Sequence, residues 1–139
     1  MVYRFGVDTL AYLPEASKQF IAPLPMAYDT SLHCYKEISV MAGGHGGENL
    51  PKSQAIKDAT MAYFIHANMK ENTKFIHYNG SYDSKFHESI MWYLQQLNSE
   101  LSFTTIEVVD QEDISQFDNE LLGNADFFIV VDEDMCKTH

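Results

Sequence analysis

At 139 residues, 45% of them hydrophobic and 13% aromatic, the chain has material for one core and at most one domain, and no repeated or low-complexity stretch marks a solenoid or a disordered tail. A formal charge of -11 leaves no basic stripe to release counterions, which argues against a nucleic-acid partner. Arg4, Asp8, Glu15 and Lys18 interrupt the first twenty residues, so no signal peptide is read there, and no run is apolar and long enough to span a bilayer.

Residues 1–42 read as an irregular, partly helical lead-in. A short helix starts near Pro14, the two prolines of 22–28 (APLPMAY) mark a connection, and Asp29 or Thr30 caps a helix through about Met41 with Leu32, Tyr35 and Ile38 on one side. Cys34 and Cys136 are read as free thiols, with a single bridge between them left open. The most informative stretch is 43–62, GGHGGENLPKSQAIKDATMA. Its four glycines around His45 let the backbone approach a ligand, and the helix that follows offers unpaired N–H groups at its start, with Asn49 as cap and Pro51 in the first turn.

Helical spacing puts Ala55, Ile56, Ala59, Ala62, Tyr63 and His66 on the inner face of this helix, with Gln54, Asp58, Met61 and Ile65 as an adjoining stripe. Gln54 and Asp58 are therefore polar groups one turn apart on the edge of a buried face. They are candidates for a site; the plainer alternative pairs Asp58 with Lys57, Lys52 or a backbone group and Gln54 with a loop carbonyl.

From residue 75 the pattern changes character. Residues 75–78 read as a strand, 84–97 as a helix, 103–109 as a strand, 114–122 as a helical turn or two, and 127–131 as a buried strand. This β-α-β-α-β order predicts an α/β fold with a parallel sheet covered on both faces, and a ligand beyond the carboxyl ends of the strands. The first strand runs into a polar cluster containing His77, Asn79, Gly80, Ser81, Tyr82 and Asp83. Plain structural roles compete here too: Asp83 as a helix cap, His77 as a hydrogen-bonded histidine at a sheet end, and Tyr82 as core packing. Three strands behind some seventy residues of helix and loop make half a sheet, so 1–139 is expected to be the C-terminal portion of a larger domain, and the uncapped opening Met1-Val2-Tyr3-Arg4-Phe5 fits an internal start.

GGHGGENLPKSQAIKDATMAYFI, KFIHYNGSYDSKFHESIMWYL and ADFFIVVDEDMCKTH together resemble the C-terminal half of the ChaN-like haem-binding uptake family, grouped with the Tiki and TraB proteins and similar to the erythromycin-esterase fold. The resemblance implies an α/β domain and a role in haem or iron acquisition with haem held by a dimer. It also implies a place in the bacterial cell envelope, often through a lipid anchor that these residues do not carry. The superfamily is marked by two Gly-x-x-His motifs; the first has no counterpart in these residues, and the second aligns with Gly80-Ser81-Tyr82-Asp83, where Asp83 replaces the histidine.

The preferred expectation is a binding protein for haem or a related iron-porphyrin, with His45, Gln54, Asp58, His77, Asn79, Ser81 and Tyr82 lining one cleft and His45, His77 and Asp83 as metal donors. The alternative is a metal-dependent hydrolase in which Asp83, His45 and Asp58 hold a divalent ion and its water. A third expectation is an inactive, degenerate fragment.

Overall fold

In a computed structural model of the chain, residues 1–41 and 47–135 are described. His45 and Cys136 lie outside them. The amino-terminal part is a string of short pieces: α1 (Val2–Phe5), a 3-10 turn (Val7–Tyr12), α2 (Glu15–Lys18) and α3 (His33–Met41). They surround α4 (Asn49–Asn68), the long helix of the fold, and α5 (Ile90–Leu97) packs along it.

α4 is central because its sequence gives it more than one apolar surface. Ala59, Ala62 and Ile65 pack with Ala22, Ile90, Tyr93 and Leu94, whereas Ile56 packs with Val2 and Leu10 and Ala55 packs with Cys34 and Tyr35. Alanine at these helical spacings lets neighbouring helices come close to the α4 backbone. Met26, from the proline-containing connection, touches all three clusters. Asn49 does not cap the helix with its side chain, and Pro51 sits buried in the first turn. Asp29 likewise makes a turn with the Ser31 N–H before α3 rather than capping it.

The sheet is smaller than the sequence pattern predicts. Among the described residues it has two parallel strands, β1 (Ile106–Gln111) and β2 (Phe127–Asp132), with Ile106 opposite Phe127 and Val108 opposite Ile129. The 114–122 segment contributes only a 3-10 turn, Asn119–Leu121. The 75–78 segment is not a strand; it runs exposed and unpaired in the sheet sense. Nor is 84–97 one helix. Phe86, His87 and Ser89 take left-handed φ values of 60, 57 and 55°, where side chains other than glycine are strained.

Contacts distant in sequence account for that break. The Phe86 N–H donates to the Asn124 carbonyl at 2.9 Å, His87 Nε2 lies 3.1 Å from Asp126 Oδ2, and Ser89 Oγ donates to the Tyr82 carbonyl at 3.0 Å. Asp126 also accepts from the Thr105 N–H at 2.7 Å and the Thr105 hydroxyl at 3.0 Å. These bonds hold the Asp126 carboxyl below the usual carboxylate range, the Thr105 N–H bond most. They tie the amino ends of both strands to the helical half. The ties are thus at the amino ends and not at the carboxyl ends, where a ligand was expected.

β2 was expected to be buried, but one face of the pair is open. Ile106, Val108, Phe127 and Ile129 are 62, 59, 61 and 51% exposed and lie side by side in register, while Phe128 on the other face packs against Phe117. Parallel sheets ordinarily have both faces covered. The isolated chain is accordingly expected to self-associate through this face despite its acidic charge. Light scattering should show dimers or larger species that the double replacement Val108→Lys with Ile129→Glu returns to monomer; a monomeric wild-type chain with a sharp cooperative melt would refute this.

Candidate functional site

The polar stripe of α4 is organised around Asp58. Asp58 is fully buried, and each of its oxygens has a donor: the Tyr35 hydroxyl of α3 gives to Oδ2 at 2.8 Å, and Gln54, one turn earlier in α4, gives to Oδ1 at 2.9 Å. The same Gln54 amide nitrogen donates to Asp83 Oδ1 at 2.5 Å, and Asp83 Oδ2 accepts from the Gly80 N–H at 3.1 Å. One relay thus joins α3, α4 and the 80–83 turn. No lysine takes part in it, so the plain pairing of Asp58 with Lys57 or Lys52 is replaced by neutral donors.

Electrostatics follow from this arrangement. Burial pushes the Asp58 carboxyl up to about 7; the Tyr35 and Gln54 hydrogen bonds oppose the shift, and the nearby Asp83 charge adds to it. Burial, and then the Asp58 charge, raise the Tyr35 phenol above its ordinary value. Burial likewise pushes the Cys34 thiol up to about 12, so this cysteine stays protonated and is a packing residue, with Ser89 Oγ 3.1 Å from its sulfur.

Two adjoining cavities run along the outer side of α4. The larger, of about 600 Å³, is lined by Ile21, Gln54, Ile56, Lys57, Thr60, Met61 and Asp83. The second, of about 290 Å³, is lined by Thr60, Met61, Phe64, Ile65, Asn68, Phe75 and His77. Thr60 and Met61 border both, which makes one groove with a polar end at Asp83 and Lys57 and an aromatic end at His77. Neither cavity takes a residue from β1 or β2. The groove lies on a helix, not at the carboxyl edge of the sheet as expected from the strand pattern.

The extended 75–78 segment forms part of this groove. Phe75, 42% exposed, and His77 line the cavity beside α4, whereas the alternate residues Ile76 and Tyr78 are 75 and 91% exposed and line neither cavity. The period of two read from the sequence is therefore present, but the inward residues meet a helix instead of a sheet core.

The structure gathers some of the expected site residues and separates others. Gln54, Asp58 and Asp83 are hydrogen-bonded together, and Asn79 braces the same turn by donating to the Gly80 carbonyl at 2.8 Å and Ser84 Oγ at 3.0 Å. Ser81 lies in this 3-10 turn and borders neither cavity. Asp83 closes back on the Gly80 N–H rather than capping the next helix. His77 is in the groove but at the other end from Asp83. Tyr82 points elsewhere: its hydroxyl donates to Met41 Sδ at 2.9 Å. Among the described residues no three histidine, cysteine or acidic side chains are grouped to hold a metal ion.

Tyr35, Lys57, Thr60 and Met61 had not been read as site residues. Met61 was visible in the stripe with Gln54, Asp58 and Ile65; Tyr35 had only its place on the inner side of α3, which does not say that its hydroxyl meets a carboxylate.

The groove is lined half by apolar side chains, Ile21, Ile56, Met61, Phe64, Ile65 and Phe75, and half by polar ones that include an imidazole and an ammonium group, with volumes in the range of small-molecule sites. Residues 1–94 match the family model described as haem-binding uptake, Tiki superfamily, ChaN. The matched residues include the whole relay and every residue lining the two cavities, whereas β1, β2 and the third resemblance segment at 125–139 lie beyond them. No curated protein and no solved structure matches the chain. Among the described residues no helix is long and apolar enough to cross a membrane.

Proposed function

Because the chain belongs to the haem-binding uptake family of the Tiki superfamily that includes ChaN, we propose that it binds haem, or a closely related iron-porphyrin, in the groove along α4 and acts as a carrier rather than a hydrolase. The observation that carries this reading is His77 placed, with Phe75, on an exposed segment lining a cavity together with Phe64 and Ile65 of α4. Apolar side chains exclude water from a porphyrin face, and a neutral imidazole is a good ligand for haem iron. At the other end Lys57 offers its ammonium group to a propionate, and the relay through Gln54 keeps the Asp83 carboxylate turned toward α4. When bound, the haem supplies iron as cargo.

A divalent-metal hydrolase draws less support. Asp58 is buried with both oxygens engaged by Tyr35 and Gln54, and Asp83 and His77 border different cavities. The open face of the β1–β2 pair supports the related proposal that these strands belong to a larger parallel sheet in a larger ChaN-like domain.

Titration of ferric haem into the protein tests the assignment. The wild-type chain should shift the Soret band with saturation; His77→Ala should weaken binding by at least about tenfold, about 1.4 kcal/mol. Tyr82→Phe should leave it unchanged, since that hydroxyl is engaged by Met41. Equal affinity in His77→Ala and wild type would put the site elsewhere.

A further inference from the structure

We propose that the open face of the β1–β2 pair is a docking surface for a basic amphipathic helix of a partner protein. The groove along α4 plays no part in this inference, which starts from the distribution of charge. Residues 1–85 contain eight Asp or Glu and eight Lys or Arg, whereas 86–135 contain twelve Asp or Glu and no Lys or Arg. The whole formal charge of -11 therefore belongs to the residues after Lys85, the part that carries β1 and β2.

An apolar strip sits on this acidic unit. Ile106 with Phe127, then Val108 with Ile129, form two successive cross-strand rows whose side chains stand in solvent. Neighbouring strands lie about 4.8 Å apart and alternate residues of one strand about 6.6 Å apart, so these four side chains make a strip roughly as wide as one helix. Further strands would add backbone at the edges of the pair and leave this face open. Only an element laid across the strip removes it from water, and in parallel sheets that element is a helix.

Charge selects the kind of helix. Glu112 and Asp113 follow β1, Asp132 ends β2, and Glu133 and Asp134 come next; all five are exposed. Among the described residues none of these five carboxylates makes an ion pair. The register sets Gln111 beside Asp132, so the two acidic runs leave the sheet side by side at one end of the strip. A second copy on the same face buries the apolar rows but adds another charge of -11, so repulsion opposes the contact. A helix with apolar residues on one side and Lys or Arg on its flanks buries the same rows and sets cations against unpaired carboxylates. Self-association of the isolated chain is then what this face does when no such helix is present.

A synthetic peptide with leucines at i, i+3, i+4 and i+7 and lysines elsewhere stands in for the partner helix, and fluorescence anisotropy of its labelled form reads binding to the full chain. The wild type should bind it at least about tenfold more tightly than the same peptide with glutamate in place of lysine. Val108→Thr with Ile129→Thr keeps charge and strand propensity but removes one of the two apolar rows, and should weaken binding at least about tenfold. Glu112→Gln with Glu133→Gln and Asp134→Asn keeps the strip and should weaken binding about threefold or more at low salt, a difference that vanishes at roughly 0.5 M. All five replaced side chains are exposed, so the fold does not depend on them. Light scattering should show one chain per bound peptide. Undiminished affinity in the Val108→Thr, Ile129→Thr variant would put the peptide elsewhere and overturn the proposal. Equal binding of the lysine and glutamate peptides would remove the preference for a basic partner, and a peptide-saturated sample that stays dimeric would give the face to a second copy; either result also overturns it.

Discussion

Asp58→Ala is expected to destabilise the fold by about 3 kcal/mol, lowering the melting temperature by roughly 10 °C. The truncation leaves a small void in fully buried surroundings and removes the carboxylate that accepts from the hydroxyl of Tyr35, a residue 1% exposed. Gln54 loses less, since its amide still donates to Asp83. Most of the effect should therefore come from the loss of the phenol's carboxylate acceptor and from the void. Adding Tyr35→Phe to Asp58→Ala should recover part of the loss, because deleting both partners of a buried hydrogen bond is less harmful than deleting one. Equilibrium urea unfolding of the four proteins in this cycle checks it. A loss below about 1 kcal/mol for Asp58→Ala would show that the relay is not a structural anchor.

Stability should also fall as pH rises from about 4 to about 7. The Asp58 carboxyl has its affinity for protons raised by burial, from an ordinary value of 3.8 to about 7. Between those values the folded chain holds a proton that the unfolded chain has released, so the stabilisation is complete below pH 4 and is lost as pH passes through 7. Three pH units at about 1.4 kcal/mol each make this contribution about 4 kcal/mol. Asp29, Asp113 and Asp126 act with the opposite sign: hydrogen bonds depress their carboxyls, so their stabilisation is present at neutral pH and lost in acid. The maximum should consequently lie near pH 4 to 5. The general acidity of the chain adds repulsion in the same direction as Asp58, and Asp58→Asn separates the two. Asparagine still accepts from Tyr35 but does not titrate, so the variant should be less stable at pH 5 and should lose most of the slope between pH 4 and 7. An unchanged slope in Asp58→Asn would assign the pH dependence to surface charge.

Several of these features could be read from residue order because they are set by local periodicity. A helix brings positions four apart together, so the contact of Gln54 with Asp58, and the stripe that continues through Met61 and Ile65, followed from spacing alone. The alternation of 75–78 was legible for the same reason, and so were two of the three expected strands, with β1 displaced toward its carboxyl end. Family membership was legible from the first two resemblance segments, which both lie within the matched residues 1–94.

What the local pattern could not supply was the partner. Tyr35 meets Asp58 across 23 positions of chain and Gln54 meets Asp83 across 29, and nothing in the spacing of either residue points to the other. The 75–78 segment has the alternation of a strand, but a strand exists only when a neighbouring backbone pairs with it; here its inward side chains met α4 and formed the wall of a groove. Residues 84–97 have helical periodicity throughout, yet bonds from Phe86 to Asn124 and from His87 to Asp126 pull the first turns into left-handed conformations. Sequence alone determined which residues are polar or apolar, which carry metal-donor atoms, and which of them share a helix face. Tertiary structure decided which faces meet, because that choice depends on the summed burial and hydrogen bonding of groups that local spacing does not connect.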